Sequence, residues 1–155
     1  MMLLSPVSPA GTLRRVVTTS TDDISGTGTA TVTSGALILT WPEELMATPP
    51  TIIVSCSAQV TGGTGAAYLQ ARMNQVDGVI QTTDFANAAD GRSGRTNAST
   101  SARQRHFYFR PDVLQSARDT AVPRNTLALL ARGENSDTAF SVTNITARLV
   151  YEPLL

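Results

Sequence analysis

Ala139-Phe140-Ser141-Val142-Thr143-Asn144-Ile145-Thr146-Ala147-Arg148-Leu149-Val150-Tyr151 decides the fold class. Side-chain character changes at nearly every step, which is the period of a strand with one wet face rather than of a helix. Ile145, Leu149 and Tyr151 share a face with Ser141, Thr143 and Ala147, and that face is expected to meet a core. Val142, Asn144, Thr146, Arg148 and Val150 occupy the other. Upstream, Gly133-Glu134-Asn135-Ser136 reads as a turn and 125–132 as another strand. His106-Phe107-Tyr108-Phe109-Arg110 is a third strand, with Phe107 and Phe109 turned to the core and His106 and Tyr108 away from it.

Further toward the N-terminus, 51–60 is a continuous apolar run containing Ile52-Ile53-Val54, expected to be buried on both faces. Residues 27–33 and 36–41 flank Ser34-Gly35 and are expected to pair as a hairpin. The strand at 67–74 is expected to return through Asp77-Gly78 into 79–83. Pro42 opens a candidate single helical turn at 42–46, and Pro111 a candidate short helix at 111–117. Residues 84–101 read as a long irregular loop. Eight or nine short strands with no helix of ordinary length point to an all-β antiparallel sandwich or barrel. A parallel sheet would need crossovers of about a dozen residues. Residues 1–22, with Pro6, Pro9 and Gly11, read as an extended N-terminal arm, and 23–155 as the β-sandwich domain.

Composition agrees. The 155 residues suit one domain, and a hydrophobic share of 41% supports a core. Only 15% are charged, so Thr and Ser supply much of the polar surface. The formal net charge of +0 gives no long-range attraction to nucleic acid or an anionic membrane. All 12 basic residues are Arg, a cation suited to forked contacts at interfaces. A single cysteine, Cys56, makes no internal disulfide and is expected to be a buried, inert thiol. No run approaches the roughly 18 apolar residues of a membrane helix. Met1-Met2-Leu3-Leu4-Ser5-Pro6 lacks a basic segment, so no secretory signal is expected.

The chemistry-bearing residues are sparse. His106 is the one histidine, beside Arg105 in a strand, and reads as a surface or packed residue rather than a base. Asp22-Asp23 and Glu43-Glu44 are adjacent pairs whose side chains diverge, unlike a converging acid/base pair. Asp77-Gly78 and Asp90-Gly91 lack the alternating acids of a calcium loop. Gly62-Gly63-Thr64-Gly65 lacks the Lys and following helix of a phosphate cradle. The expectation is therefore no catalytic residue, no cofactor, no metal and no enzymatic activity. One charge feature is uneven. Arg92, Arg95, Arg103, Arg105 and Arg110 occupy a stretch with no acid between its ends. It reads equally as a solvated loop and strand or as a contact for an acidic protein surface, a phosphate or a glycan.

The strand Leu37-Ile38-Leu39-Thr40-Trp41-Pro42 followed by Pro49-Pro50-Thr51-Ile52-Ile53-Val54-Ser55, with 126–131 and 140–151 near the other end, resembles small jelly-roll proteins of tailed-bacteriophage particles. These are head decoration (cement) proteins and the knob domains that end tail fibres. The resemblance covers roughly 24–152 and rests on a strand pattern, not on a chemical signature. It implies an antiparallel jelly-roll-like sandwich, a homotrimer, and a capsid decoration protein stabilising a phage head through protein–protein contacts. The implied partners are the major capsid protein or other virion subunits, with no nucleic acid and no membrane. The implied location is the capsid surface, after synthesis in the host cytoplasm. The expected contact residues are Arg14, Arg15, Val16 and Val17 of the arm, with Arg92, Arg95, Arg103 and Arg105. A tail-fibre knob recognising a host glycan is the alternative, and a glycan hydrolase with two acids meeting in a cleft is the second.

Overall fold

A computed structural model describes residues 14–40, 50–74, 91–96, 101–110 and 124–152. They form ten strands: β1 (Arg15–Thr21), β2 (Ile24–Thr27), β3 (Val32–Thr33), β4 (Leu37–Thr40), β5 (Thr51–Gly62), β6 (Ala67–Asn74), β7 (Gly91–Thr96), β8 (Arg103–Phe109), β9 (Arg124–Gly133) and β10 (Ala139–Tyr151). Every ladder is antiparallel. The first sheet runs β1 and β2 on one row, then β10, β5, β8; the second runs β3 and β4 on one row, then β9, β6, β7. The pairings nest: first row with last strand, second row with second-last, β5 with β8, β6 with β7. One long hairpin rolled up in this way is a jelly roll, so the expected fold class is the observed one.

The core lies between the sheets. Ile52, Val54, Phe107, Phe109, Phe140, Ile145 and Leu149 come from the first, and Leu37, Leu39, Leu69, Leu127 and Leu129 from the second. Each such side chain contributes about 1.5–3 kcal/mol on burial. The two-faced burial expected of 51–60 is not there. In β5, Ile52, Val54, Cys56, Ala58 and Val60 are buried while Thr51, Ile53, Ser55, Ser57 and Gln59 stay half-exposed. Both-face burial belongs instead to β9, where Ala128 and Leu130 are as fully buried as Leu127 and Leu129.

Val142 corrects the expectation that it faces away from Ile145. Phe140, Val142, Ile145, Ala147, Leu149 and Tyr151 are all buried. The ladder with β5 jumps between Thr143 and Thr146, and Asn144 takes φ +52°. This bulge resets the strand's phase, so both halves face the core. Opposite it the first row breaks, with β1 pairing 145–151 and β2 pairing 139–142. Asp23 Oδ1, at the break, accepts the Asn144 amide at 3.2 Å.

The hairpin expected around Ser34-Gly35 is also replaced. β3 and β4 lie end to end on β9, because Ser34 continues the ladder between them. Its amide donates to the Leu129 carbonyl at 2.8 Å, and its hydroxyl accepts the Leu129 amide at 2.9 Å. Part of the loop expected at 84–101 is strand β7, which pairs with β6. The return strand expected at 79–83, the helical turn at 42–46 and the short helix at 111–117 lie outside the described residues. The arm expected over 1–22 is corrected for its last third: Arg15–Thr21 is β1, an integral strand of the chain's own sheet. Seven consecutive residues there find ladder partners on β10 within the same chain, so they need no neighbour.

One end of the sandwich is locked. Ala66 donates its amide to Glu134 Oε2 at 2.7 Å, Tyr68 its hydroxyl to Glu134 Oε1 at 3.2 Å, and Thr64 its hydroxyl to Asp137 at 3.0 Å. Thr138 hydrogen-bonds the Thr64 carbonyl. Gly63 (φ +74°) lies so close to this turn that a Cβ would fall 1.9 Å from the Asp137 carbonyl oxygen. Only glycine fits.

Candidate functional site

The strand order sorts the expected contact residues onto opposite sides. β7 and β8 are the outermost strands of the two sheets and pack near one another. Arg92 and Arg95 on β7 stand opposite Ala71 and Tyr68, and Arg103 and Arg105 on β8 opposite Ala58 and Cys56. These four arginines therefore share one lateral edge. Arg103 is exposed and Arg105 half-buried. Arg14, Arg15, Val16 and Val17 lie across the first sheet, on its far edge. Arg14 makes an exposed ion pair with Glu152, Nε to Oε1 3.6 Å. Arg15 is exposed, Val16 is 56% exposed, and Val17 turns inward to pack on the core. The structure gathers the second group and keeps it apart from the first.

A surface not singled out in the sequence lies between them. The outward face of the first sheet carries an open groove of about 420 Å³. Cross-strand register builds its rows. Thr18, Arg148, Ile53 and Tyr108 align on β1, β10, β5 and β8; Ser20, Thr146, Ser55 and His106 form the next row. Ser57 and Gln104 follow, with Asn144 at the bulge beside them. Ser55 Oγ and His106 Nδ1 are 2.8 Å apart. Beneath this face Cys56 points into the core. Burial pushes its thiol up from 9.0 to about 12, and the Arg105 guanidinium across the ladder pulls partly back. Among the described residues no group of three or more His, Cys, Asp or Glu side chains is placed to hold a metal ion.

The outward character of His106, Tyr108, Thr146 and Arg148 was available from alternation alone. Their convergence was not, because it depends on how β10, β5 and β8 align.

The arrangement defines a jelly-roll sandwich with an open polar sheet face and an arginine-bearing edge. No family model and no curated protein sequence matches the chain. Among solved structures, a chain of infectious bursal disease virus, Gx strain, superposes with a TM-score of 0.53 at 14% identity. The alignment covers 90% of this chain and 33% of the viral one. A chain of the T13 particle of the same virus gives 0.52 at 9% identity, covering 90% and 31%. This chain thus spans about a third of the length of those viral chains, and the likeness establishes the fold alone. TmCBM61 in complex with β-1,4-galactotriose aligns over 90% of this chain and 88% of its own at a TM-score of 0.42, too loose a match to carry an argument.

Proposed function

We propose that the chain is a virion structural protein, a capsid decoration or cement subunit of a tailed phage that works through protein–protein contacts and not by catalysis. The observation that carries this reading is the arginine edge. β7 and β8 bring Arg92, Arg95, Arg103 and Arg105 to one side of the sandwich, from a stretch that holds no acid between Arg92 and Arg110. Guanidinium groups on such an edge suit carboxylates of an adjoining subunit, which they bind through paired, charge-assisted hydrogen bonds. The jelly-roll winding shared with viral chains supports a place in a virion shell. The proposed homotrimer would set this edge against the opposite, β1-bearing side of the next copy, a head-to-tail contact repeated around a three-fold axis. The remaining partner is then the major capsid protein, and the location the capsid surface.

The non-catalytic part of the reading rests on His106. It is exposed and touches Ser55, but among the described residues no carboxylate orients its ring, as a Ser-His hydrolytic site requires. The test is a variant carrying Arg92→Glu, Arg95→Glu and Arg103→Glu, added to particles lacking the protein. Copies retained per particle are counted by quantitative mass spectrometry. Reversal at three contacts, each supplying about 1.5–3 kcal/mol, is expected to cut occupancy at least roughly tenfold while the circular dichroism spectrum of the free protein still shows a folded all-β chain. Full occupancy with unaltered particle heat resistance refutes the assignment.

A further inference from the structure

We propose that the outward face of the first sheet is a binding site for an acidic saccharide, whose carboxylate is held by Arg148. The groove there is lined by the guanidinium of Arg148 and the imidazole of His106, and by no Asp or Glu. Arg148 is half-buried between Thr18 on β1 and Ile53 on β5, so its stem is held by the sheet. Among the described residues its side chain has neither an ion pair nor a hydrogen bond. A guanidinium left uncommitted on this face can take a carboxylate with two parallel hydrogen bonds.

The surroundings decide what carries that carboxylate. Thr146 and Ser55 lie in the row beside Arg148, and Gln104 follows one row on. Hydroxyls and an amide both donate and accept, which matches a polyol whose every ring position offers the same pair of functions. The Ser55 contact engages His106 Nδ1 and leaves Nε2 as the ring's remaining polar atom. Tyr108 stands two residues along β8 from His106 on the same face, about 7 Å away by strand rise. At 58% exposure its ring offers a flat apolar surface to the C–H face of a sugar. The four strand rows span about 14 Å, enough for a short oligosaccharide. An acidic peptide would satisfy Arg148, but its backbone has no regular match to rows of side-chain hydroxyls. The site shares strand β8 with the arginine edge but uses none of Arg92, Arg95, Arg103 or Arg105, so it stands or falls separately from that edge.

The test titrates the full chain with tri-galacturonate, a hyaluronan tetrasaccharide and sialyllactose, using neutral galactotriose and penta-glutamate as controls, read by calorimetry and amide chemical shifts. At least one acidic saccharide is expected to bind saturably, with shifts confined to β1, β10, β5 and β8. Arg148→Gln should weaken it by roughly tenfold or more, and Tyr108→Ala several-fold. Both side chains face outward, so both variants should melt like the parent. The proposal is overturned if none of the three acidic saccharides saturates, if galactotriose or penta-glutamate binds as tightly, or if Arg148→Gln leaves affinity unchanged.

Discussion

Cys56 shows how one side chain ties the inside of the sandwich to pH. It sits on the inner face of β5, 4% exposed, with its thiol pushed to about 12 chiefly by loss of solvent. The unfolded chain releases this proton from about 9, whereas the folded chain keeps it. Between those values the unfolded state binds fewer protons, so stability must fall as pH rises, and below them the contribution is fully present. Between pH 8 and 10.5 the loss amounts to about 2 kcal/mol. Cys56→Ala abolishes this slope at the expense of a small cavity. Urea unfolding at the two pH values is therefore expected to show a larger drop for the parent than for the variant. Equal drops would mean that the thiol is not shielded. The same shielding predicts that iodoacetamide leaves Cys56 unmodified until the protein unfolds, since only the thiolate reacts.

Among the elements, β10 depends most on a single irregularity. Its bulge at Asn144 lets two apolar sets of opposite phase share one core face. Deleting Asn144 removes the extra residue of the bulge, so Phe140, Val142, Ile145, Ala147, Leu149 and Tyr151 fall into strict alternation and all keep the core face. The apolar burial is kept and the Asp23 bond to the Asn144 amide is lost, so the deletion variant should fold and lose about 0.5–1.5 kcal/mol. Asn144→Gly keeps the left-handed backbone and should stay within about 0.5 kcal/mol, while Asn144→Val should cost about 1–2 kcal/mol. Chemical unfolding of the three variants checks this order. The bulge also marks where the sequence could be read and where it could not. Alternation was enough to recognise β6, β8, β9 and β10 and to choose the face of Ile145, Phe107 and Phe109. It placed Val142 wrongly because the phase reset comes with a contact from Asp23 to the Asn144 amide, over a hundred residues away. Ser34-Gly35 had the composition of a turn, but Ser34 supplies a ladder rung to Leu129 instead. Gly91-Arg92-Ser93-Gly94-Arg95-Thr96 carries no strand signal of its own and is held by pairing with β6. The groove around Arg148 was hidden for the same reason: which rows meet is a property of register, and composition does not encode it.

At the scale of the whole molecule, the roll closes on its first and last strands, and that closure makes the N-terminal boundary testable. Because β1 pairs with 145–151 and Val17 packs on the core, a cut after residue 22 removes a structural strand as well as any docking segment. A cut after residue 13 leaves every described ladder intact. The shorter truncation is expected to melt within a few degrees of the full chain and to sediment identically at low concentration. The longer one exposes the side of β10 that β1 covered, a run of unpaired amides and carbonyls that templates pairing with another copy. It should associate beyond the parent's own state in a concentration-dependent way, and a peptide of residues 14–22 supplied in trans should restore the parent's sedimentation by refilling the row. Circular dichroism melts and sedimentation velocity at two concentrations distinguish the cases. If removal of 1–22 leaves both melting and sedimentation unchanged, β1 is dispensable to the roll and the segment reverts to a free arm. If only the longer cut perturbs the fold, any loss of particle attachment seen with the shorter cut belongs to residues 1–13 as a contact in their own right.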